Sequence, residues 1–479
     1  MVRIGMNQIP VKDVTPKSKN NGAPETYDLY AKRVHIYVKY YKGFFKNFRT
    51  ISGFIMLAMF YGFSWLQWNG QQAVLFDLPN RQFHVFNFTF WPQDFILLSW
   101  LLIILAFVLF FVTVFAGRLW CGYACPQFVW TWFFIWAERI TEGDRNVRMR
   151  RDKQPMSAEK FFRKAAKHSL WLIIAAATGI AFVGYFSPIR ELIPDLLAFN
   201  LGPWETWWIG FFIVATYANA GWLREQVCIY MCPYARFQSV MFDQDTLVIS
   251  YDEARGENRG KRKKNLDYKA AGMGDCIDCG NCVHVCPVGI DIRDGLQYEC
   301  VACGACVDAC DDIMDRMGYD RGLIRYTTEH ALEGGKTHIL RPRLVGYFVA
   351  MCAMFIAFGY TLYARVPLEV DIIRDRGQLY IEASNGTIEN AYMLKLANKS
   401  QQDHRYSIEV TGIDGLKMIS DSEVNIRSGE LLDHPVRLQI KPAYLERPNY
   451  NIMFHVKALD DADISVDEEN RFIGPTNRR

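Results

Sequence analysis

Histidine is scarce in this chain, nine in 479 residues, and only His168 borders a long apolar run. A membrane haem needs axial histidine, methionine or cysteine on facing helices, so no haem is expected. His84 and His284 read as ordinary surface residues rather than ligands. An excess of either charge is also lacking: 54 basic residues against 51 acidic ones leave a net +3. With neither a basic stripe nor an acidic tail, no nucleic-acid partner is expected. The start of the chain lacks the short basic region, prompt apolar segment and small-residue cleavage site of a secretory signal. Instead Lys12, Lys17, Lys19, Lys32, Arg33, Lys39, Lys42, Lys46 and Arg49 precede the first apolar run. Residues 1–50 are therefore read as an uncleaved cytoplasmic tail.

Cysteine, by contrast, is concentrated. Of thirteen in the chain, eight fall between residues 276 and 310 in two matched sets. Cys276, Cys279, Cys282 and Cys286 are spaced C-x2-C-x2-C-x3-C with Pro287 next. Cys300, Cys303, Cys306 and Cys310 repeat the spacing, with Asp311 where proline is expected. This is the bacterial ferredoxin pattern, in which three closely stepped cysteines wrap one iron-sulfur cube and the fourth reaches the other. The expectation is two [4Fe-4S] clusters, one on Cys276, Cys279, Cys282 and Cys310, the other on Cys300, Cys303, Cys306 and Cys286. Zinc is the plainer alternative, but zinc sites more often pair C-x-x-C with a distant second pair. A disulfide scaffold would need an oxidising compartment. The acids Asp308, Asp311, Asp312 and Asp315 would lower the potential of a nearby cluster, and otherwise read as a solvated helix face.

The 51% hydrophobic and 15% aromatic fractions point to membrane spans. Crossing hydrocarbon takes about 20 mainly apolar residues in a helix. Residues 51–68, 95–117, 168–187, 204–222 and 344–363 qualify. Residues 127–137 are too short and follow a proline, so an interfacial or re-entrant helix is expected there. Lysine and arginine are retained on the cytoplasmic side. Loop 69–93 carries only Arg81 and loop 188–203 only Arg190, whereas 138–167 and 223–343 are rich in both, with a basic run from Arg259 to Lys264. The expected organisation is a cytoplasmic tail (1–50), a transmembrane region (51–222), a cytoplasmic cluster domain (223–343), a fifth span (344–363) and an outer domain (366–479).

Two further motifs sit where the second and fourth spans return to the cytoplasmic face: Cys121-Gly-Tyr-Ala-Cys125-Pro126 and Cys228-Ile-Tyr-Met-Cys232-Pro233. On a helix, residues four apart share a face, so each pair could turn both sulfurs toward one object, with the proline ending or bending the helix. Soft thiolates select monovalent copper, zinc or iron-sulfur iron, while buried cysteine is also ordinary packing. Met351, Cys352 and Met354 in the last span read as core packing. From about residue 366 the pattern changes to short alternating segments, at 378–383, 391–396, 406–410, 436–440 and 450–456. They are separated by Asn385-Gly386, Asp414-Gly415 and Ser428-Gly429. That spacing predicts an antiparallel sandwich without the usual disulfide, since this stretch has no cysteine. Asn385-Gly386-Thr387 fits a glycosylation triplet but reads better as a hairpin turn.

Taken together, the two C-x3-C-P motifs, the cysteines from Cys276 to Cys310, the five spans and the disulfide-free outer domain resemble the FixG/CcoG (RdxA) family of bacterial membrane ferredoxins. The likeness covers all but the first thirty or so residues. It implies a polytopic α-helical inner-membrane protein with a cytoplasmic ferredoxin-like 2[4Fe-4S] domain and a periplasmic immunoglobulin-like β-sandwich. It further implies a role in assembling a cbb3-type cytochrome c oxidase, by reducing Cu(II) to Cu(I) for copper delivery. Cys121, Cys125, Cys228 and Cys232 would be the copper-handling thiols. Implied partners are the membrane, a copper transporter or oxidase assembly factors, and a cytoplasmic electron donor; a homodimer is left open. Two other readings stay open: a quinol dehydrogenase subunit passing electrons to a periplasmic partner, and a non-catalytic assembly scaffold or redox sensor.

Overall fold

A charge-free, mainly apolar run from Phe95 to Ala116 satisfies its own backbone away from water by forming a helix, and Gly117, at φ 55°, stops it. The computed structural model describes residues 35–475 apart from 69, 265, 266, 365, 376, 385 and 401. The basic residues Lys12, Lys17, Lys19, Lys32 and Arg33, and Asn385 of the glycosylation triplet, lie outside the described residues. All elements below belong to the compact unit that begins at Tyr37.

The helical part opens with α1 (Phe44–Gly62) and, after a small β-region, continues through α2 (Phe95–Ala116), α3 (Leu119–Tyr123), α4 (Pro126–Glu142), α5 (Arg145–Lys153), α6 (Ala158–Val183), α7 (Ile189–Leu197), α8 (Pro203–Thr216) and α9 (Pro233–Met241). The cluster unit holds the short α10 (Glu253–Gly256) and α11 (Asn281–His284), the longer α12 (Ala305–Met317) and α13 (Glu329–Leu332), and leads into α14 (Pro342–Tyr363). Among the described residues three helices, α2, α6 and α14, are long and apolar enough to cross a membrane. α2 and α14 lie side by side and turn apolar side chains outward, among them Ile96, Leu102 and Ile356. Such an uncovered apolar belt suits lipid and associates the chain with a membrane. In α14 only Leu344 is buried, so Met351, Cys352 and Met354 are not the core residues expected.

The other expected spans differ from expectation. The first helix starts at Phe44, inside the expected tail, takes in Lys46 and Arg49, and ends at Gly62, leaving 63–68 to a turn and the strand β1 (Gln67–Trp68). α8 is only 14 residues long, and the chain continues as wider π-type turns over Tyr217–Leu223. Gln127 supports that winding by donating from Nε2 to the carbonyls of Asn219 (2.9 Å) and Arg224 (3.3 Å). The doubtful stretch 127–137 belongs to a longer helix, of 17 residues, packed between α1 and α6. Two acids of its polar continuation, Glu138 and Glu142, are buried because they are neutralised. Glu138 pairs with Arg148 at 2.6 Å and Arg224 at 2.5 Å, and Glu142 with Lys167 at 3.3 Å.

The expected outer loop 69–93 is folded. β1 pairs with β2 (Gln71–Gln72), and β3 (Val74–Asp77), β4 (Gln82–Val85) and β5 (Phe88–Phe90) form an antiparallel sheet. It turns His84 inward, 8% exposed and hydrogen-bonded through Nδ1 to Thr89 Oγ1 at 3.1 Å, so His84 is not a surface residue. Burial pushes its imidazole below the usual range. His284 is half-buried, and His168 lies within α6, bonded to the Tyr217 hydroxyl at 2.7 Å.

In the cluster unit β6 (Val248–Tyr251) pairs with β7 (Ile324–Thr327), joining its two ends. The C-terminal part is a two-sheet antiparallel sandwich. One sheet orders β12 (Lys417–Met418), β14 (Leu431–Ile440), β10 (Ile388–Asn398) and β8 (Leu368–Arg374), with β9 (Ile381–Glu382) on β10. The other orders β13 (Glu423–Ile426), β11 (His404–Thr411), β15 (Asn449–Ala458) and β16 (Ser465–Ile473). Alternate residues point inward, and Leu394, Leu396, Tyr406, Leu438, Phe454 and Phe472 fill the space between the sheets. The stretch expected at 378–383 is reduced to the two residues of β9.

Candidate metal centres

The two cysteine loops adopt one conformation twice. In the first, Asp278 (φ 49°) and Gly280 (φ 66°) are left-handed; in the second, Ala302 (φ 49°) and Gly304 (φ 74°). Each glycine is the N-cap of the helix that follows, α11 or α12. A left-handed residue between successive cysteines coils the loop around a centre instead of letting it run on. A non-glycine residue such as Ala302 pays for that conformation, and here Tyr326 and Tyr123 hold the loop by donating to the carbonyls of Ala302 (2.5 Å) and Cys303 (3.3 Å).

Each loop encloses a cavity. One is lined by Cys276, Cys279, Cys282 and Cys310, the other by Cys286, Cys300, Cys303 and Cys306; Cys282 borders both, so the cavities are neighbours. The remaining lining is mainly apolar, with Ile313, Met314 and Ile324 around the first and Ile249, Val288 and Ile292 around the second. Burial pushes Cys282 and Cys300 up to about 11 and Cys286 up to about 12. Thiols so placed become ligands only when a cation replaces the proton. A single zinc on four thiolates would set its sulfurs about 3.8 Å apart. Among the described residues no three cysteine sulfurs lie within 4.8 Å of one another, and eight thiols around two adjoining, mainly apolar cavities fit two iron-sulfur groups.

Asp311 explains its own departure from the proline pattern. Proline after Cys286 follows a short helix, whereas α12 runs on through Asp311 to Met317, and Asp311 Oδ1 accepts the Gly322 N–H at 3.0 Å. Asp308, expected on a solvated face, is 6% exposed. Its carboxylate accepts the N–H groups of Phe45 (3.1 Å) and Lys46 (2.8 Å) at the start of α1.

Neither C-x3-C pair rides a single helix. Cys121 sits in α3 and Cys125 is the extended N-cap of α4, with Pro126 opening that helix. Cys228 sits in a π-type segment, Val227–Met231, and Cys232 is the extended N-cap of α9, opened by Pro233. Proline forces its predecessor out of the helical region and is preorganised for a first helical turn, so it begins a helix in both motifs instead of ending one. Burial pushes Cys121 and Cys228 up to about 12; Cys125 and Cys232 are close enough to add to this, and Arg118 opposes it. Cys121 Sγ also donates to Gln238 Oε1 at 3.3 Å. The four thiols therefore share one neighbourhood without closing into the coordination shell of a single ion.

That neighbourhood abuts the second cavity. A Cβ on Gly122 would lie 2.8 Å from the Val301 oxygen, 2.9 Å from the Ala302 oxygen and 3.0 Å from the Cys303 Cα. Only glycine allows this approach. Cys121 and Cys125 pack into the same apolar cluster as Val301, Cys303 and Ala305. Arg118, 5% exposed, ties the parts together by donating to the carbonyls of Tyr298, before the second cysteine loop, and Ala235, in α9. Sequence reasoning missed Arg118 and Gln238, since no local pattern marks either. It also missed Asp245, His330 and His338, whose ligand atoms lie within 4.8 Å of one another.

A paired-loop cysteine unit, apolar helices and an immunoglobulin-like sandwich define a membrane-associated dicluster iron-sulfur protein. Residues 223–329 match the family model of a 4Fe-4S dicluster domain, and residues 358–475 that of the IG-like fold at the C-terminus of FixG. The chain is 38% identical over 435 residues to the nitrogen fixation protein FixG of Rhizobium meliloti, covering 83% of each. It is 42% identical over 401 residues to protein RdxB of Cereibacter sphaeroides, covering 81% of this chain and 84% of that one. Protein RdxA of the same organism is 39% identical over 405 residues, with 81% and 85% covered. The chain belongs to the FixG/RdxA family.

Proposed function

We propose that this protein is an inner-membrane cupric reductase, taking electrons from a cytoplasmic donor and converting Cu(II) to Cu(I) for assembly of a cbb3-type cytochrome c oxidase. Cys276, Cys279, Cys282 and Cys310 would hold one [4Fe-4S] cluster, and Cys286, Cys300, Cys303 and Cys306 the other. Bound there, the clusters would supply one-electron transfer. The chain's part is to seat them in neighbouring apolar cavities and to press Cys121 and Cys125 against the second, with Cys228 and Cys232 beside that pair. The carrying observation is the contact of Gly122 with the backbone of Val301–Cys303. Cys121, Cys125, Cys228 and Cys232 would receive copper as substrate, thiolate favouring the softer Cu(I). Arg118 is placed to offset the negative charge of those thiolates. In this reading the basic α5 region and the run from Arg259 to Lys264 keep the cluster unit on the cytoplasmic side, with the sandwich outside.

The test is anaerobic purification, chemical reduction and addition of Cu(II), following Cu(I) with a chelating dye in wild type, Cys121→Ser and Cys228→Ser. Stoichiometric reduction in the wild type that slows at least about tenfold in each variant, with iron and sulfide unchanged, is the expected result. No reduction by the wild type would overturn the reading. Equal rates in all three would remove these thiols from it.

A further inference from the structure

Three potential ligand side chains converge at the end of the β6–β7 ladder away from Tyr251. Register pairs Val248 with Thr327 there, so the loops 243–247 and 328–338 leave the ladder side by side. Asp245 comes from the first loop, His330 and His338 from the second. Asp245 Oδ1 lies 2.8 Å from His330 Nδ1, and Oδ2 lies 3.5 Å from His338 Nδ1. The two imidazoles stand 5.5 Å apart at 83°.

The arrangement is braced from behind. The His338 N–H donates to Asp245 Oδ1 at 2.9 Å and the His330 N–H to the Gln244 carbonyl at 3.3 Å. Thr328 and Thr337 join their hydroxyls at 2.8 Å across the second loop, and Thr246 Oγ1 donates to the Val114 carbonyl at 3.0 Å, fixing the first loop on the end of α2. The site is graded in exposure, with side chains 11% exposed at Asp245, 33% at His330 and 68% at His338. An ion could therefore arrive from solvent and keep open coordination positions, as labile sites do.

One carboxylate and two imidazoles suit a divalent first-row cation, and among these such donors hold Cu(II) most strongly. We infer that Asp245, His330 and His338 form a solvent-open Cu(II) site, the place where the substrate of the reduction proposed above is first held. The assignment rests on that reading for the choice of metal. Its position agrees with the role. Ile249 lines the second cysteine cavity, and four residues of chain from Asp245 to Ile249 span no more than about 14 Å. The donors also sort the metal by oxidation state: nitrogen and oxygen here for Cu(II), sulfur at the C-x3-C-P pairs for Cu(I).

The experiment titrates Cu(II) into the full-length protein in detergent with its clusters oxidised, reading electron paramagnetic resonance and equilibrium dialysis. Wild type, His330→Gln and His338→Gln are compared, each checked for unchanged iron content and visible absorption. The expected result is one Cu(II) per chain with nitrogen hyperfine structure, bound at least about tenfold more weakly in each variant. A signal without nitrogen coupling, or equal affinity in all three proteins, would overturn the inference and leave a His-Asp-His network that only ties two loops together. Because the titration precedes any reduction, the two ideas fail separately. Nitrogen-bound Cu(II) that reduced protein leaves unreduced sinks the function and keeps the site; copper reduction with no nitrogen-bound Cu(II) does the reverse.

Discussion

Asp308 lies between two cysteines of the second set, yet its carboxylate serves α1, more than 260 positions earlier in the chain. A Cβ on Gly43 would overlap that carboxylate, so glycine at the N-cap is part of the same joint. Asp308→Ala should leave two helix N–H groups without acceptors and cost about 1–2 kcal/mol, seen as a lower thermal midpoint in detergent. Iron content should hold, because Asp308 borders neither cysteine cavity. The acidic run reads as a solvated face because nothing within reach in sequence signals a helix start arriving from elsewhere. The cysteines are the opposite case. Ligand spacing is a local property, so Cys276 to Cys310 can be sorted into two sets from the sequence and the structure gathers those sets around two cavities. Arg118, Gln238 and the Asp245, His330 and His338 group are brought together by tertiary packing and leave no local trace.

Among the elements, α3 joins the C-x3-C-P thiols to the second cysteine loop in the proposed electron path, and Gly122 leaves no room there for added volume. Gly122→Ala would push α3 off the second cysteine loop. Copper reduction should fall by about 10-fold to 100-fold, the scale on which displacements near 1 Å matter, while cluster content stays constant; rapid-mixing kinetics would show it. α4 carries a different dependence. Burial pushes the Glu138 carboxyl up, but Arg224 and then Arg148 pull it below the usual carboxylate range. Glu138→Gln would strand two buried guanidinium groups, a loss of about 3–5 kcal/mol, measurable as reduced thermal stability. It should also free Arg224 and loosen the π-type turns before Cys228. The sequence suggests only an eleven-residue apolar stretch here, because charged residues normally end a buried run. In α4 they extend it, since their partners come from α5, α6 and the turns after α8.

At the scale of the whole molecule, the sandwich is latched to the β3–β5 region. Lys399 Nζ, 7% exposed, reaches Asp94 at 3.2 Å, and Gln82 Nε2 donates to the Gly429 carbonyl at 2.8 Å. Lys399→Met should leave the apolar core of the sandwich intact, but remove one of the latch's two ties and strip Glu369 in β8 of its ion pair at 2.5 Å. Limited proteolysis after Tyr363 should then become several-fold faster. The sandwich is legible from its alternation and turn residues, as is the apolarity of α2, α6 and α14. The sheet of β3–β5 is not, because strands of three or four residues carry too few alternations to register.

The pairing of β6 with β7 means that the chain arrives at the iron-sulfur unit and departs from it at adjacent points. A module whose two ends meet can be gained or lost by one insertion, without rethreading the helices on either side. Excision would nonetheless uncover the scaffold, because Gly122, Arg118 and the N-terminus of α1 all bear on the stretch 298–308, so the helices and the unit they carry are held to change together.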